Sequence, residues 1–400
     1  MTAPLSLKDA QDRLLALARL LPVEHIGVEE AQGRYLAEPL TARRTQPAAD
    51  MSAMDGYALA PGDLDGPWRV VGESAAGHPF AGSVLAGEAV RISTGALLPA
   101  GADVVLLQED TARHGDALTL TGTPPQPADA HIRRAGFDFG AGHVLLPAGT
   151  WIGPAQIALA IAAGHRHLPV RRRPRLAIID SGDELAPRGE DCPAHQIPAS
   201  NGAMLAAMVA QVASHVRRLG PVPDDQNALV DALDAASDTD VIVTSGGASA
   251  GDHDLIRPAL EQWGSEIDFW RVAIRPGKPL LIARRGDQIV IGLPGNPVAS
   301  LVTAYLFLLP LLRAMLGAAR PLPTPVRAVL ASGLGPGGLR REFIRGWWDG
   351  QNVEPRAMRD SSALAAMAVS NCLIERAAGA PAAQAGEDAT IYLLGHGGIA

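Results

Sequence analysis

Between residues 172 and 316, short apolar runs alternate with amphipathic stretches, and this pattern restricts the possible folds more than any other feature of the chain. "RLAIID" (175–180) has the unbroken apolar character of a strand buried on both faces, as in a parallel sheet. Met204, Leu205, Met208, Val209 and Val212 then fall at helical spacing, and Leu229, Leu233 and Ala236 repeat the pattern. "VIV" (241–243), a helix from about 254, "WRVAI" (270–274), "QIVIGL" (288–293) and a helix over 297–313 follow. Such alternation predicts a doubly wound α/β sheet, in which ligands bind beyond the carboxyl ends of the strands.

The remainder of the 400 residues is too long for a single core and divides by texture. Residues 1–46 and 141–171 read as one helical linker domain, opened by a capping box at Ser6-Leu7-Lys8-Asp9. Residues 47–140 are a β-rich module of short strands between Gly, Pro and Asp turns. The module is inserted into the helical segment, a device tolerated where chain ends lie together at a surface. The α/β domain is expected over 172–318. A proline cluster at Pro321, Pro323 and Pro325 acts as a stiff linker into a C-terminal β domain over 319–400.

Charge and cysteine usage exclude several function classes. A net charge of −8 lacks the basic stripe of a general nucleic-acid binder. Cys192 and Cys372 stand far apart with neither disulfide-framework nor zinc spacing, which fits a reduced, cytoplasmic setting. The charge-free run from Gln288 to Leu312 is broken by Pro294-Gly295-Asn296-Pro297. It is expected to form a buried strand, a loop and a helix, each too short to cross a bilayer.

Polar loops follow the predicted strands, and a parallel sheet would deliver them to one edge. "TSGGASAGDHD" (244–254) carries glycines at 246, 247 and 251. Glycine-rich turns let backbone N–H groups approach an anion, and Ser245, Gly246, Gly247 and Ser249 are the candidate phosphate cradle. The following Asp252 and Asp254 would repel that anion unless a cation intervenes. Either Asp254 holds magnesium together with substrate phosphates, or it only N-caps the next helix. In "RPGKP" (275–279), Arg275 and Lys278 flank a tight turn and suit a compact tetraoxyanion; the plain alternative is a solvated turn. Glu184 in "SGDEL" either caps a helix or contacts a ligand amine, and Pro294 and Pro297 either shape a substrate loop or only start a helix. In the β-rich module, "SAMDGYAL" (52–59) and "ISTGALLPAGADVV" (92–105) single out Asp55 and Thr94, although an isolated Asp-Gly is ordinarily a turn.

Taken in register, "SAMDGYAL", "ISTGALLPAGADVV", "SGDEL", "TSGGASAGDHD", "RPGKP" and "GLPGNPVAS" resemble the molybdopterin molybdenumtransferase family. The resemblance implies insertion of molybdenum from molybdate into adenylylated molybdopterin, with magnesium, releasing AMP and forming molybdenum cofactor. It also implies a homodimer whose active site is shared between the α/β domain of one subunit and the β-rich module of the other. Carried over residue by residue, the catalytic set is Asp55, Thr94, Glu184, Asp225 and Asp254, with Asp224 competing with Asp225. Pro294 and Pro297 shape the substrate loop, and molybdate falls to Arg275, Lys278 and Ser300, with Arg341 and Ser361 or Ser362. The family usually has an acid before the Ser-Asn pair; here Ala199 stands there. Two rival functions keep the same fold: a molybdopterin adenylyltransferase, and a non-catalytic scaffold. The retained carboxylates weigh against the scaffold. The C-terminal domain is a possible docking face for other cofactor-biosynthesis or acceptor proteins.

Overall fold

The computed structural model describes residues 4–187, 192–246, 255–356 and 363–395. The first helix, Leu7–Leu17, starts at Ser6, whose hydroxyl accepts the Asp9 N–H at 3.1 Å. Its inner face carries Leu7, Ala10, Gln11 and Leu14. Residues 18–46, expected to be helical, contain no α-helix; short strands, turns and a single 3-10 turn, Glu29–Ala31, stand there instead. Val23–Gly27 pairs antiparallel with His167–Arg171, and Leu40–Thr41 pairs with Val144–Leu146. The β-branched Val23 and Ile26 favour this state once distant partner strands are available, which no local pattern reveals. Val28, Leu36, Ile152, Leu168 and Val170 form the small core beneath.

The chain enters and leaves the β-rich module side by side, with Gln46 bridged to Phe139. Its main sheet has six strands in the order Val104–Leu107, Gly56–Leu59, Glu88–Ile92, Trp68–Ser74, Ala117–Leu120, Thr111–His114. Tyr57, Leu59, Trp68, Val70, Leu106 and Leu118 fill its core.

Elements of the α/β domain are numbered within that domain. They run β1 (Arg175–Ser181), α1 (Asn201–Val209), β2 (His215–Val222), α2 (Gln226–Ala235), β3 (Val241–Ser245), α3 (Ile256–Gln262), β4 (Glu266–Arg271), β5 (Pro279–Arg285), β6 (Gln288–Leu293) and α4 (Pro297–Met315). The sheet order is β2-β1-β3-β6-β5-β4. Strands β2, β1, β3 and β6 are parallel, whereas β5 is antiparallel to both of its neighbours. Both faces are buried. Leu176, Ile178, Val241, Val243, Ile289 and Ile291 face one core, and Ala177, Ile179, Ile242 and Val290 face the other. This two-sided burial is the physical origin of the unbroken apolar runs.

Helix α4 spans 19 residues at a mean hydropathy of 1.8, so it is long and apolar enough to cross a membrane, contrary to the expectation of segments too short to do so. In the fold, 89% of its apolar window is buried. A π-helical turn over Ala304–Leu308 interrupts it, and the Gln11 side-chain amide donates to the Leu306 carbonyl at 2.9 Å. Beyond the proline linker, Val326–Leu330, Asn352–Pro355, Arg341–Trp348, Cys372–Arg376 and Asp388–Leu393 pair in a closed cycle, a five-stranded barrel without a free edge. Ile274–Arg275 adds to its Arg341 strand and ties the barrel to the α/β domain.

Candidate functional site

Strand order locates the site. From β1 the chain passes through α1 to β2 on one side, then returns through α2 to β3 on the other side of β1. The carboxyl ends of β1 and β3 therefore flank the point where the winding reverses, where open α/β sheets bind ligands. A cleft of about 360 Å³, including its open mouth, lies there. Its walls are Asp180 and Ser181 at the end of β1 with Glu184 and Leu185 after it, Ile197 to Asn201 before and at the start of α1, Ser245 ending β3 with Gly246 after it, and Gly295 and Pro297 before and at the start of α4.

Glycines permit this convergence. Gly246 has φ +106°, and a side chain there would put Cβ 2.7 Å from the Ser181 carbonyl oxygen. Asn201 then laces the loops together. Its amide nitrogen donates to Ser245 Oγ at 2.9 Å and to the Gly295 carbonyl at 2.7 Å. Among the described residues the buried Asn201 Oδ1 has no partner, an unsatisfied acceptor of the kind that binding sites retain.

Two carboxylates reach the cleft. Glu184 is exposed on the loop after β1. Asp180 is only 4% exposed and is the penultimate residue of β1, set against the first turn of α1. Burial pushes its carboxyl above the usual range, opposed by the Arg218 charge and the Gly202 N–H. A Cβ on Gly202 would meet Asp180 Oδ2 at 2.2 Å, so this helix turn accommodates the carboxylate only because it carries glycine.

Sequence reasoning passed over Asp180 and Asn201. The available signal was a fully apolar strand that closes on an acid.

Of the residues singled out from the sequence, Glu184, Ser245, Gly246 and Pro297 line the cleft, while Pro294 is buried beside it. Pro297 also opens α4 behind Asn296, whose side chain accepts the Ala299 N–H at 3.3 Å. Asp225 caps α2, its carboxylate accepting the Ala228 N–H at 2.8 Å. Asp224 instead faces the loop after β1: its carboxylate accepts the Asp183 N–H at 3.4 Å, and its own N–H meets the Asp183 carboxylate at 3.1 Å. Gly247, Ser249, Asp254 and Ser361 lie outside the described residues, as do Asp252 and Ser362.

The cationic candidates form a second group, apart from the cleft walls. Gly277 lies so close to α4 that a Cβ would be 2.4 Å from Thr303 Cγ2. Lys278 is exposed and makes no ion pair among the described residues. Arg275 meets Glu342 at 3.3 Å, and Arg341 meets Glu375 at 2.6 Å. Ser300 is fully buried, and its hydroxyl oxygen has no partner among the described residues.

Asp55 and Thr94 sit together in the β-rich module. Among the described residues, none from 47–140 lines the cleft. Gly56 follows Asp55 in a strand packed so tightly that a Cβ would lie 1.8 Å from the Leu106 carbonyl oxygen. The Asp-Gly pair is therefore a strand entry under steric constraint and not a free turn.

Comparison with known proteins agrees with this layout. Residues 5–164 match the model of the MoeA N-terminal region (domain I and II), 177–314 that of a probable molybdopterin binding domain, and 327–394 that of the MoeA C-terminal region (domain IV). The chain is 32% identical to the molybdopterin molybdenumtransferase of Haemophilus influenzae over 98% of its own length and 99% of the relative's. It is 37% identical to that of Synechococcus elongatus, covering 78% of this chain and 80% of the other. A crystal structure of a Pyrococcus horikoshii molybdopterin biosynthesis moeA protein superposes with a TM-score of 0.85 at 25% identity, over 98% of this chain and 100% of that one.

Proposed function

Because the chain belongs to the molybdopterin molybdenumtransferase family, we propose that it transfers molybdenum from molybdate to adenylylated molybdopterin, releasing AMP and forming molybdenum cofactor. The observation that carries this reading is the cleft at the winding reversal, together with a separate cationic turn packed against helix α4. The reaction joins two anions, so the protein has to hold them apart from water and offset their charge.

Lys278 and Arg275 supply positive charge at the turn, where a tetraoxyanion accepts hydrogen bonds from both. Glu342 fixes one face of the Arg275 guanidinium and leaves its remaining N–H groups for the anion. Ser300, Arg341 and Ser361 complete the molybdate set. Ser245 and Gly246, continued by Gly247 and Ser249, hold the phosphate-bearing part of the pterin substrate.

Glu184 and Asp224 at this edge, together with Asp254, are the hard oxygen donors that magnesium takes, and bound there it would offset pyrophosphate charge. No group of three His, Cys, Asp or Glu side chains gathers as a ready metal site among the described residues. That is compatible with an ion shared between one or two carboxylates and the substrate.

Asp55 and Thr94 complete the site from a second copy of the chain, in a homodimer. The absence of any 47–140 residue from the described cleft wall supports this arrangement. Two free cysteines suit a cytoplasmic enzyme.

The test is incubation with adenylylated molybdopterin, molybdate and magnesium, following AMP. Release of AMP is expected. Release of pyrophosphate from ATP and free molybdopterin, without AMP release from the adenylylated substrate, would assign the adenylyltransferase step instead.

A further inference from the structure

The cleft wall is rich in hydrogen-bond acceptors and, among its described residues, contains no Lys, Arg or His. Asp180 and Glu184 bring carboxylates, and Asn201 brings a buried carbonyl oxygen without a partner among the described residues, its amide nitrogen being spent on Ser245 and Gly295. A ligand face docked here has to bring N–H donors. Phosphate and dithiolene groups bring only acceptors or negative charge, so they are repelled at Asp180 and the Asn201 oxygen and are left to the Ser245–Gly246 loop. The one donor-rich edge of a molybdopterin substrate is its pterin, where the exocyclic amine and the adjoining ring N–H lie side by side. That paired arrangement matches the two oxygens of a carboxylate.

Asp180 is the acceptor best placed to meet it. It is 4% exposed, lines the cleft near the end of the central strand β1, and is packed closely against Gly202 in the first turn of α1, which restricts its rotamers. We propose that Asp180 is a specificity-determining residue that accepts hydrogen bonds from the amine and ring N–H edge of the pterin, orienting that ring in the cleft. This rests on the molybdopterin reading above and adds the group that reads the ring. A carboxylate buried among apolar strands is costly to desolvate, and the Arg218 charge and the Gly202 N–H together do not offset that cost, since the carboxyl stays above its usual range. Bound substrate donors would.

A purely structural role has to be separated from this one, since Asp180 also caps the first turn of α1, whose own Ser200 makes no side-chain cap. Asp180→Asn keeps an oxygen for the Gly202 N–H but turns an N–H donor toward the substrate's donors. The expected result is a KM for adenylylated molybdopterin raised on the order of 10- to 100-fold, with the molybdate requirement and the thermal midpoint unimpaired. A second variant removes dependence on one substitution. Ala199 lines the same cleft, so Asp180→Ser combined with Ala199→Asp returns a carboxylate from the facing wall and recovers part of the affinity lost by Asp180→Ser alone.

An unchanged KM in Asp180→Asn overturns the proposal. So does a lowered thermal midpoint that accounts for the whole loss of activity. If the wild-type chain releases no AMP at all, the functional reading fails first, an outcome distinct from failure of Asp180 alone.

Discussion

Asp55 and Thr94 stand 39 positions apart in the chain, yet one Asp55 carboxylate oxygen accepts the Thr94 N–H at 2.7 Å. The backbone N–H of Thr94, and then its hydroxyl, hold the Asp55 carboxyl below the usual carboxylate range, so an exposed acid stays ionised through the neutral range. The pairing is fixed by the sheet, because the Gly56 strand lies between the Glu88–Ile92 and Val104–Leu107 strands.

Asp55→Ala is therefore expected to fold normally and to lose at least about 100-fold in turnover. Combining it with a chain bearing Glu184→Ala tests how the site is assembled. A heterodimer of the two lesions keeps one site with an intact module and an intact cleft, so mixing the chains restores activity. Mixed dimers as inactive as either parent would place both residues in one subunit's site.

Gly56→Ala is expected to destabilise the β-rich module by about 2–4 kcal/mol, since its Cβ would fall 1.8 Å from the Leu106 carbonyl oxygen in an already packed sheet. Gly335→Ala is the control, because nothing lies within 4 Å of the added carbon. Thermal unfolding compares them, and equal midpoints would show that the strand does not pack as described.

Lys278→Ala removes an exposed cation from the turn before β5, which packs against α4. The molybdate concentration for half-maximal rate is expected to rise about tenfold or more, while affinity for adenylylated molybdopterin stays nearly unchanged. Steady-state titration of each substrate reads both. An unaltered molybdate dependence would remove Lys278 from the anion site.

The raised Asp180 carboxyl has a consequence for stability. A carboxyl that holds its proton more tightly in the folded state contributes most stability at low pH. That contribution is lost as pH rises from the ordinary carboxylate range through the folded-state value. Asp180→Asn removes the ionisation, so its stability advantage over the wild type should be absent near pH ~3 and appear toward neutrality. Unfolding midpoints measured across that interval decide it; a pH-independent difference would contradict the burial of an ionisable group.

Much of this architecture was legible because burial on both sheet faces writes itself into the sequence. "RLAIID" and "QIVIGL" could be read as central strands for that reason, and both are. The strand Pro279–Arg285 was hidden behind the "RPGKP" turn, and its antiparallel direction is set by neighbours and not by its own residues. The extended 23–27 segment was misread because its partner, 167–171, is supplied from beyond the inserted module. Site residues divide in the same way. Ser245, Gly246 and Glu184 sit in loops whose composition signals ligand contact. Asp180 and Asn201 gain meaning only from the β2-β1-β3 order, which places the end of β1 beside β3 and lets one Asn side chain span Ser245 and Gly295.

The most direct test of the central claim is the stoichiometry of molybdenum incorporated per AMP released. Purified chain would be given adenylylated molybdopterin, magnesium and limiting molybdate, with the metal-loaded product assayed by reconstitution of a molybdenum-free acceptor enzyme. One molybdenum transferred for each AMP is the expected result. AMP release that proceeds equally without molybdate, or a product unable to activate the acceptor, would contradict it.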